Sequence, residues 1–214
     1  MRRKSFDALM SAGGILLAIV LVAAGALLLW GYSYANGTVT SQLASQKITF
    51  PSKAAFAQAK VGTEIEPVMI PYIEKYAGQP LTTGAQAEAY ADHFIAYHLQ
   101  EIGGGMTYAQ LSAAAMALPA GSAAYNAAEA RVQTVFQGTT LRGMLLNAYG
   151  WWQMGQIALI SAIASFVAAG VASLLSILGL RHFRKVPLTE EIPRLAPAEQ
   201  VIATQAPLGA ALSS

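Results

Sequence analysis

The chain has 214 residues, of which 55% are hydrophobic and only 11% are charged, whereas an ordinary soluble domain carries about 25% charged residues. This composition argues against a wholly soluble or intrinsically disordered protein, and the absence of Cys from the sequence argues against a disulfide-stapled secreted domain. The net charge of +2 is small and its excess lies at the chain ends, so the sequence predicts no nucleic-acid partner.

The charge deficit is confined to two stretches of the chain. No Asp, Glu, Lys or Arg occurs in residues 8–46 or in residues 143–180. Such a distribution is typical of an integral membrane protein with two spans and a modest water-facing part. The lipid bilayer is therefore the first predicted partner.

Residues 12–33 are predicted to form the first transmembrane helix, after a basic cytoplasmic N-terminus at residues 1–11. About 20 residues at a rise of about 1.5 Å cross a hydrocarbon core of about 30 Å. The alternative is a cleaved signal peptide, with Ser33, Tyr34 and Ala35 as a small-x-small cleavage site. An uncleaved anchor is favoured because the apolar region of a signal peptide typically has about 7–15 residues.

The central segment, residues 34–150, reads as one small helical domain. The strongest predicted helix covers residues 84–102, with Thr83 and Gln86 as a capping box at its start. Thr107 can cap a second helix at residues 108–118, and a third runs from Ser122 until Gly138 ends it. A final helix starts at residue 139 or 140 and can run into the second span. We therefore expect an all-α protein in which β structure is minor or absent.

Residues 151–180 are predicted to form the second transmembrane helix together with its aromatic outer end. Three basic residues precede the first span and three follow the second, so the positive-inside rule places both termini in the cytoplasm and residues 34–150 outside. The central segment holds six basic and seven acidic residues, so no positive excess would keep it in the cytoplasm. The topology residues are Arg2, Arg3, Lys4, Arg181, Arg184 and Lys185.

Aromatic residues cluster at the outer ends of both predicted spans. Aromatic side chains with a polar group prefer the boundary between membrane and water. The predicted interface anchors are Trp30, Tyr32, Tyr34, Tyr149, Trp151 and Trp152.

The second span has one face of small residues and one of bulky residues. Small faces allow helix backbones to approach closely in lipid. Two partners for this face are open: the first span of the same chain, which we favour, or another subunit. The face consists of Ser161, Ala164, Ser165, Ala168, Ala169, Ala172, Ser173 and Ser176.

His98 is the most interesting single residue, because it lies on the apolar face of the helix at residues 84–102. Glu101 is three residues further on and within side-chain reach, so the pair could bind a metal or move a proton. The favoured interpretation is a core histidine that hydrogen-bonds to a neighbour. His93 is about 140° away from His98 around an ideal helix, so we expect it to point to solvent and not to share a metal. Asp92 and Glu88 are read as a solvated acidic face. No cofactor is predicted.

The last segment, residues 181–214, combines a basic flank with a tail rich in Ala and Pro. Its prolines interrupt any helical pattern, so we expect most of the tail to be disordered on the cytoplasmic side.

Three stretches resemble a family of actinobacterial two-span membrane proteins of unknown function. They are MRRKSFDALMSAGG at residues 1–14, YAGQPLTTGAQAEAYADHFIAYHL at residues 76–99 and TLRGMLLNAYGWWQMGQIAL at residues 140–159. Members are sometimes labelled aromatic ring-opening dioxygenases, but this sequence does not support that label. Such enzymes use two His and a carboxylate on iron or related metal arrangements, and His93 and His98 are poorly spaced for a shared metal. The resemblance implies the two-span topology and an actinobacterial cell envelope, with no catalytic residue.

Taken together, these patterns predict a non-enzymatic membrane protein. Its outer domain and small-faced second span would mediate assembly, with itself or as an accessory subunit of a larger envelope complex. The alternative is an outer module that senses or binds a small apolar or lipid-like ligand. A metal-dependent enzyme using His98 and Glu101 is the third and least favoured hypothesis.

Overall fold

The structure is a computed structural model that describes residues 3–185, with side chains from residue 5 onward. About 80% of these residues are helical, and they contain no β-strand beyond an isolated antiparallel bridge between Thr49 and Pro80. The prediction of an all-helical chain is confirmed for this part of the sequence. The predicted disordered tail, Arg2 and the side chains of Arg3 and Lys4 lie outside the described residues.

Two long helices dominate the described chain. Helix α1 covers Arg3–Ser45 and helix α7 covers Ala123–Lys185, with 43 and 63 residues respectively. Each is long and apolar enough to cross a membrane, because its most apolar part has a mean hydropathy of 2.7 in α1 and 2.2 in α7. Only 11% of that part is buried in either helix, so most of its apolar side chains are not covered by protein.

Five shorter helices lie between the two long ones. Helices α2, Lys53–Ala57, and α3, Ile70–Ile73, come first, and a 3₁₀ turn at Glu74–Tyr76 continues α3. Helix α4, Gly84–Tyr90, is joined by a π-helical turn at Ala91–Ile95 to α5, Ala96–Gly103. Helix α6 covers Tyr108–Met116.

The local signals that start and stop these helices act as the sequence predicts. The Thr83 hydroxyl accepts from the Gln86 backbone N–H while the Gln86 side chain accepts from the Thr83 backbone N–H. Thr107 and Gln110 form a second capping box at the start of α6. The run of three glycines at residues 103–105 predicts a helix stop, and α5 indeed ends at Gly103. Gly104 follows in the left-handed conformation with φ of 59°, so the chain leaves the helix without a steric penalty.

Two predicted helix boundaries are wrong. Gly138 does not end a helix, because α7 runs unbroken through it. A Cβ at Gly138 would lie 2.5 Å from Leu99 Cδ2, so this glycine makes room for α5. The sequence also predicts that the first helix continues until Pro51 stops it, since a proline disfavours helix in the residue before it, but α1 already ends at Ser45. Lys47 has a positive φ of 54°, which turns the chain out of the helix earlier.

The chain divides into two compact units, which we call the terminal unit, Met1–Ala23 with Ser165–Ser214, and the central unit, Ala24–Ala164. The described part of the terminal unit is an antiparallel helix pair, since Ser11 faces Gly179 and Gly14 faces Ser176. Ser11, Ala18 and Ser176 are buried there. The described terminal unit therefore has a thin core made of small residues.

The central unit has a larger apolar core. The short helices α2 to α5 pack there against the parts of α1 and α7 that belong to this unit. Phe50 lies at its centre, with its ring 5.1 Å from that of Tyr76 and 5.3 Å from that of Tyr90. A second small core joins α6 to α7 through Leu111, Ala115, Val132 and Val135.

Candidate functional site

A buried carboxylate, Glu66, forms the centre of a polar cluster in the central unit. Only 4% of Glu66 is exposed. Its Oε2 accepts a hydrogen bond of 2.5 Å from the Tyr97 hydroxyl, and its Oε1 accepts one of 2.6 Å from the Gly62 backbone N–H. The loop before α3 is thereby attached to α5. The sequence alone does not point to Glu66, because 31 residues separate it from Tyr97 and no local spacing pattern joins them.

These hydrogen bonds explain how an acid can be buried in this unit. The bond from the Tyr97 hydroxyl, followed by that from Gly62, lowers the pKa of Glu66 below its ordinary value, although burial acts in the opposite direction. Glu101 and His98 add smaller effects that also lower this pKa. The same contact with Glu66 raises the pKa of Tyr97 to about 12. Glu66 is therefore an ionised carboxylate at neutral pH, and Tyr97 is its neutral donor.

His98 lies at the edge of this cluster, as a half-buried residue with a hydrogen bond to its own helix. Its Nδ1 is 2.7 Å from the Phe94 carbonyl oxygen, and its ring packs 4.5 Å from the Phe94 ring. Because a carbonyl can only accept, Nδ1 carries the proton. Nε2 is buried and has no hydrogen-bond partner in the structure. Glu101 is exposed, and the structure contains no hydrogen bond between it and His98.

The hydrogen bond of His98 to the Phe94 carbonyl is the kind of contact that the core-histidine interpretation expects. Among the described residues, no three His, Asp or Glu side chains are grouped so that they could hold a metal ion. His98 and Glu101 both lie near Glu66, and the chemistry available to them there is hydrogen bonding and charge stabilisation.

The prediction that His93 points to solvent is wrong, and the π-helical turn that contains it helps to explain why. His93 does not point freely to solvent, because its ring stacks on Tyr72 with 3.7 Å between the centroids and 5° between the planes. The angle expected between His93 and His98 assumed an ideal α-helix, whereas His93 lies in the turn Ala91–Ile95, where the residues per turn differ.

Asp92 also lies in this turn. The sequence predicts that it belongs to a solvated acidic face, but it forms an ion pair with Arg142. Its Oδ1 accepts a hydrogen bond of 2.6 Å from a terminal guanidinium nitrogen of Arg142. The ion pair connects the π-helical turn to α7, and both of its side chains are about one third exposed.

The small face of α7 is used in part by the chain itself. In the terminal unit, a Cβ at Gly14 would lie only 3.5 Å from the Ser176 Cβ, and Ala169 is also buried. Ala172 and Ser173 are half-buried, as are Ser161 and Ser165, whereas Ala164 and Ala168 are exposed. The contact with Gly14 agrees with the favoured interpretation, in which this face packs on α1.

A spacing of seven residues describes the buried positions of α7 better than the predicted small face does. Gly155 and Ala162 in the central unit, and Ala169 and Ser176 in the terminal unit, follow one another every seven residues and are all buried. Gly155 lies against Tyr32 and Ala35 of α1. A repeat of seven residues is the spacing of antiparallel and parallel coiled coils, so this pattern was available in the sequence.

The six aromatic residues predicted as interface anchors fall into two groups. Trp30, Tyr34 and Trp151 are more than 60% exposed, and Trp30 stacks on Tyr34. The other three are half-buried. Trp152 packs against Gly84 at the start of α4, so it also has a packing role in the central unit.

An open groove lies beside two of the exposed aromatic residues, entirely within the central unit. It has a volume of about 310 Å³ and runs between α1 and α7. A second groove of about 290 Å³ continues it, since the two share four residues. The first groove is lined by Tyr34, Ala35, Thr38, Val39, Gln42, Met144, Asn147, Ala148 and Trp151.

The described basic topology residues lie at the end of α7, where Arg181, Arg184 and Lys185 are exposed. His182, which precedes the last two of them, has its Nε2 3.9 Å from Asp7 Oδ2 in the terminal unit. This contact lies between the first turns of α1 and the last turns of α7, which meet at one end of the antiparallel helix pair.

The chain was compared with protein-family models, with curated proteins and with solved structures, and none of them matches it.

Proposed function

We propose that the chain is a two-span membrane protein of the cell envelope that carries a helical domain on the outer side and works as an assembly or accessory subunit. Both termini would lie in the cytoplasm. The resemblance to a two-span actinobacterial family adds the proposed location in the envelope. The role proposed is non-enzymatic: the outer domain holds a partner and the two helices anchor it.

The observation that carries the membrane part of this proposal is the exposure of bulky apolar side chains along both long helices. Leu16 on α1 and Val167 on α7 are 64% and 63% exposed, within parts of the helices that contain no charged residue. Soluble proteins rarely expose contiguous apolar surface on this scale. A bilayer would cover it, and the backbone of an unbroken helix is satisfied in lipid.

The assembly part is supported by an apolar patch on the central unit. Met106, Tyr108 and Phe136 are each between 40% and 47% exposed, and the rings of Tyr108 and Phe136 lie 5.4 Å apart. A groove of about 380 Å³ next to them reaches Leu99 and Val135. Aromatic residues and Met are enriched at protein interfaces, so we assign the partner contact to this patch.

Labelling of single cysteines tests the orientation, because the chain has no Cys of its own. We expect Asn126→Cys in the outer domain to react with a membrane-impermeant maleimide on intact cells, and Arg184→Cys to react only after the membrane is opened. The reverse pattern would refute the proposed topology.

Native mass measurement in mild detergent tests assembly. We expect a complex larger than one chain, which Phe136→Glu weakens while Met116→Glu, on an exposed side chain of α6 that does not line the groove, does not. A lone monomer under all gentle conditions would contradict the assembly role.

A second function is favoured by the groove between Tyr34 and Trp151. It is partly open, and apolar and polar side chains alternate along it. Ligand sites combine an apolar lining with a few polar groups in this way. We therefore keep the binding of a lipid-like ligand by the outer domain as the alternative role.

A further inference from the structure

We infer that the groove between α1 and α7 in the central unit binds the uncharged, polyhydroxylated headgroup of a membrane lipid, such as a sugar headgroup. The inference rests on the proposed two-span topology and gives the lipid-like ligand of the alternative function a chemical class.

The lining of the groove has the donors and acceptors that such a headgroup needs. On α1, Thr38 and Gln42 follow Tyr34 in successive steps of four residues. On α7, Asn147 lies four residues before Trp151. Hence each helix presents its polar and aromatic groups on one face. In the described part of the chain, the side-chain amides of Gln42 and Asn147 make no hydrogen bond to protein. Each amide offers two donor hydrogens and an acceptor oxygen, which suits neighbouring hydroxyl groups.

The absence of charge in the lining argues against an anionic headgroup. None of the residues that line this groove or its continuation is acidic or basic. The phosphodiester of an anionic phospholipid would lose part of its hydration in the groove without gaining a cationic partner there. Uncharged hydroxyl groups cost less to desolvate, and they can replace their hydrogen bonds to water with bonds to the side-chain amides.

The aromatic residues supply the apolar part of the site. Tyr34 and Trp151 line one end of the groove, and both are more than 60% exposed. The C–H-rich face of a sugar ring packs well on such rings, while their polar atoms remain free to bond. Under the proposed topology this end lies at the level of the lipid headgroups, where Trp and Tyr are enriched.

The length of the groove fits a headgroup larger than one hydroxyl. Its continuation shares Gln42, Met144, Asn147 and Ala148 with the first part and extends to Gln46. From Tyr34 to Ser45, the last residue of α1, the helix rises by about 16 Å at about 1.5 Å per residue. One or two sugar rings can lie along that distance and meet the amides of both glutamines.

Native mass spectrometry of the full chain in mild detergent tests the inference. The chain is mixed with equal amounts of diglucosyldiacylglycerol, phosphatidylglycerol and phosphatidylcholine that carry the same acyl chains. We expect the glucolipid to be retained about tenfold more than either phospholipid, since two or three net hydrogen bonds correspond to about that factor. Equal retention of the three lipids, or preference for either phospholipid, would overturn the inference.

Variants separate the groove from the rest of the surface. Gln42→Ala combined with Asn147→Ala should lower glucolipid retention about tenfold, and Trp151→Leu should lower it as well. The matched control is Gln133→Ala with Asn126→Ala, which changes the same residue types at exposed positions of α7 outside the groove. Far-ultraviolet circular dichroism verifies that each variant keeps its helices. If the Gln42→Ala, Asn147→Ala variant retained the glucolipid as well as the original chain does, the groove would not be the headgroup site.

A parallel measurement keeps this inference distinct from the proposed function. A chain that resists extraction from membranes by alkaline carbonate but shows no lipid preference refutes only the headgroup site. A chain that carbonate releases refutes the two-span proposal and this inference with it.

Discussion

At the scale of single residues, the central unit depends on one carboxylate that is held ionised in a buried position. Glu66 is satisfied by Tyr97 and Gly62, and those two donors keep its pKa below 4.5 against the effect of burial. When a buried acceptor loses its donor, the loss in folding free energy is larger than the net contribution of the hydrogen bond, because the acceptor stays buried without a partner. The stability of the loop that contains Glu66 is therefore linked to pH.

The first prediction concerns that linkage. Because the folded-state pKa of Glu66 is lowered, its contribution to stability is complete above the ordinary pKa and is lost as the pH falls through the folded-state pKa. Tyr97→Phe removes the main stabilising donor, so the pKa of Glu66 rises and the acid-side loss of stability begins at a higher pH. Thermal unfolding followed by circular dichroism across the acidic range measures the shift.

Tyr72→Phe is the matched control for this substitution, because the Tyr72 hydroxyl is not bonded to Glu66. It should leave the acid limb of the stability curve in place. An identical acid limb for Tyr97→Phe and the original chain would show that the hydrogen bond does not hold Glu66 ionised.

The second prediction concerns a close approach of two elements at a glycine. A Cβ at Gly84 would lie 2.2 Å from the Trp152 Cβ and 2.4 Å from its Cγ. Because these atoms are near the backbone of α7, they cannot move aside as a side-chain end can. We expect Gly84→Ala to destabilise the central unit by about 1–3 kcal/mol.

Gly143→Ala provides the opposite case within the same unit. Nothing lies within 4 Å of a Cβ at Gly143, so alanine should stabilise α7 by about 0.5–1 kcal/mol relative to glycine. Thermal unfolding of the two variants measures both changes. If both substitutions changed stability equally, the contact between Gly84 and Trp152 would not be as close as the structure indicates.

At the scale of elements, small residues decide how closely the long helices approach each other. Ser11, Gly14, Ser176 and Gly179 form the contact in the terminal unit. Without water to exclude in a bilayer, packing between close backbones supplies much of the association energy of such helices. A large residue at one of these positions should therefore separate the helices of this unit.

The third prediction tests this contact by crosslinking. The ideal Cβ of Gly179 lies 3.7 Å from the Ser11 Cβ, within the range of about 3.5–4.5 Å that a disulfide needs. We expect Ser11→Cys with Gly179→Cys to form an intramolecular disulfide on oxidation, which gel mobility after proteolysis detects. Adding Gly14→Leu to this variant should reduce the yield of the disulfide several-fold, because the larger side chain would meet Ser176 and separate the helices.

Gly13→Leu is the control for that third substitution, because nothing lies within 4 Å of a Cβ at Gly13. It adds the same volume one position away and should leave the crosslink unchanged. Equal yields with leucine at either position would contradict the helix contact.

At the scale of the whole molecule, the exposed apolar surface of the two long helices determines where the protein can exist. Only 11% of their most apolar parts is buried by protein. Outside a membrane, the remaining apolar surface would be exposed to water. We predict that the chain stays in the membrane pellet after an alkaline carbonate wash and needs detergent to leave it. Release into the wash without detergent would contradict membrane insertion, and a peripheral protein of the same membrane serves as the control.

Features that depend only on neighbours along the chain could be predicted from the amino-acid sequence. The two apolar helices, the capping boxes at Thr83 and Thr107 and the stop at Gly104 follow from composition, hydrogen bonding within a turn and backbone freedom. The position of Glu66 beside Tyr97, the stack of His93 on Tyr72 and the role of Gly138 against Leu99 join residues far apart in the sequence. These contacts could not be predicted, because they depend on which distant residues pack together. In the sequence, a glycine that ends a helix looks the same as a glycine that makes room for a neighbouring helix.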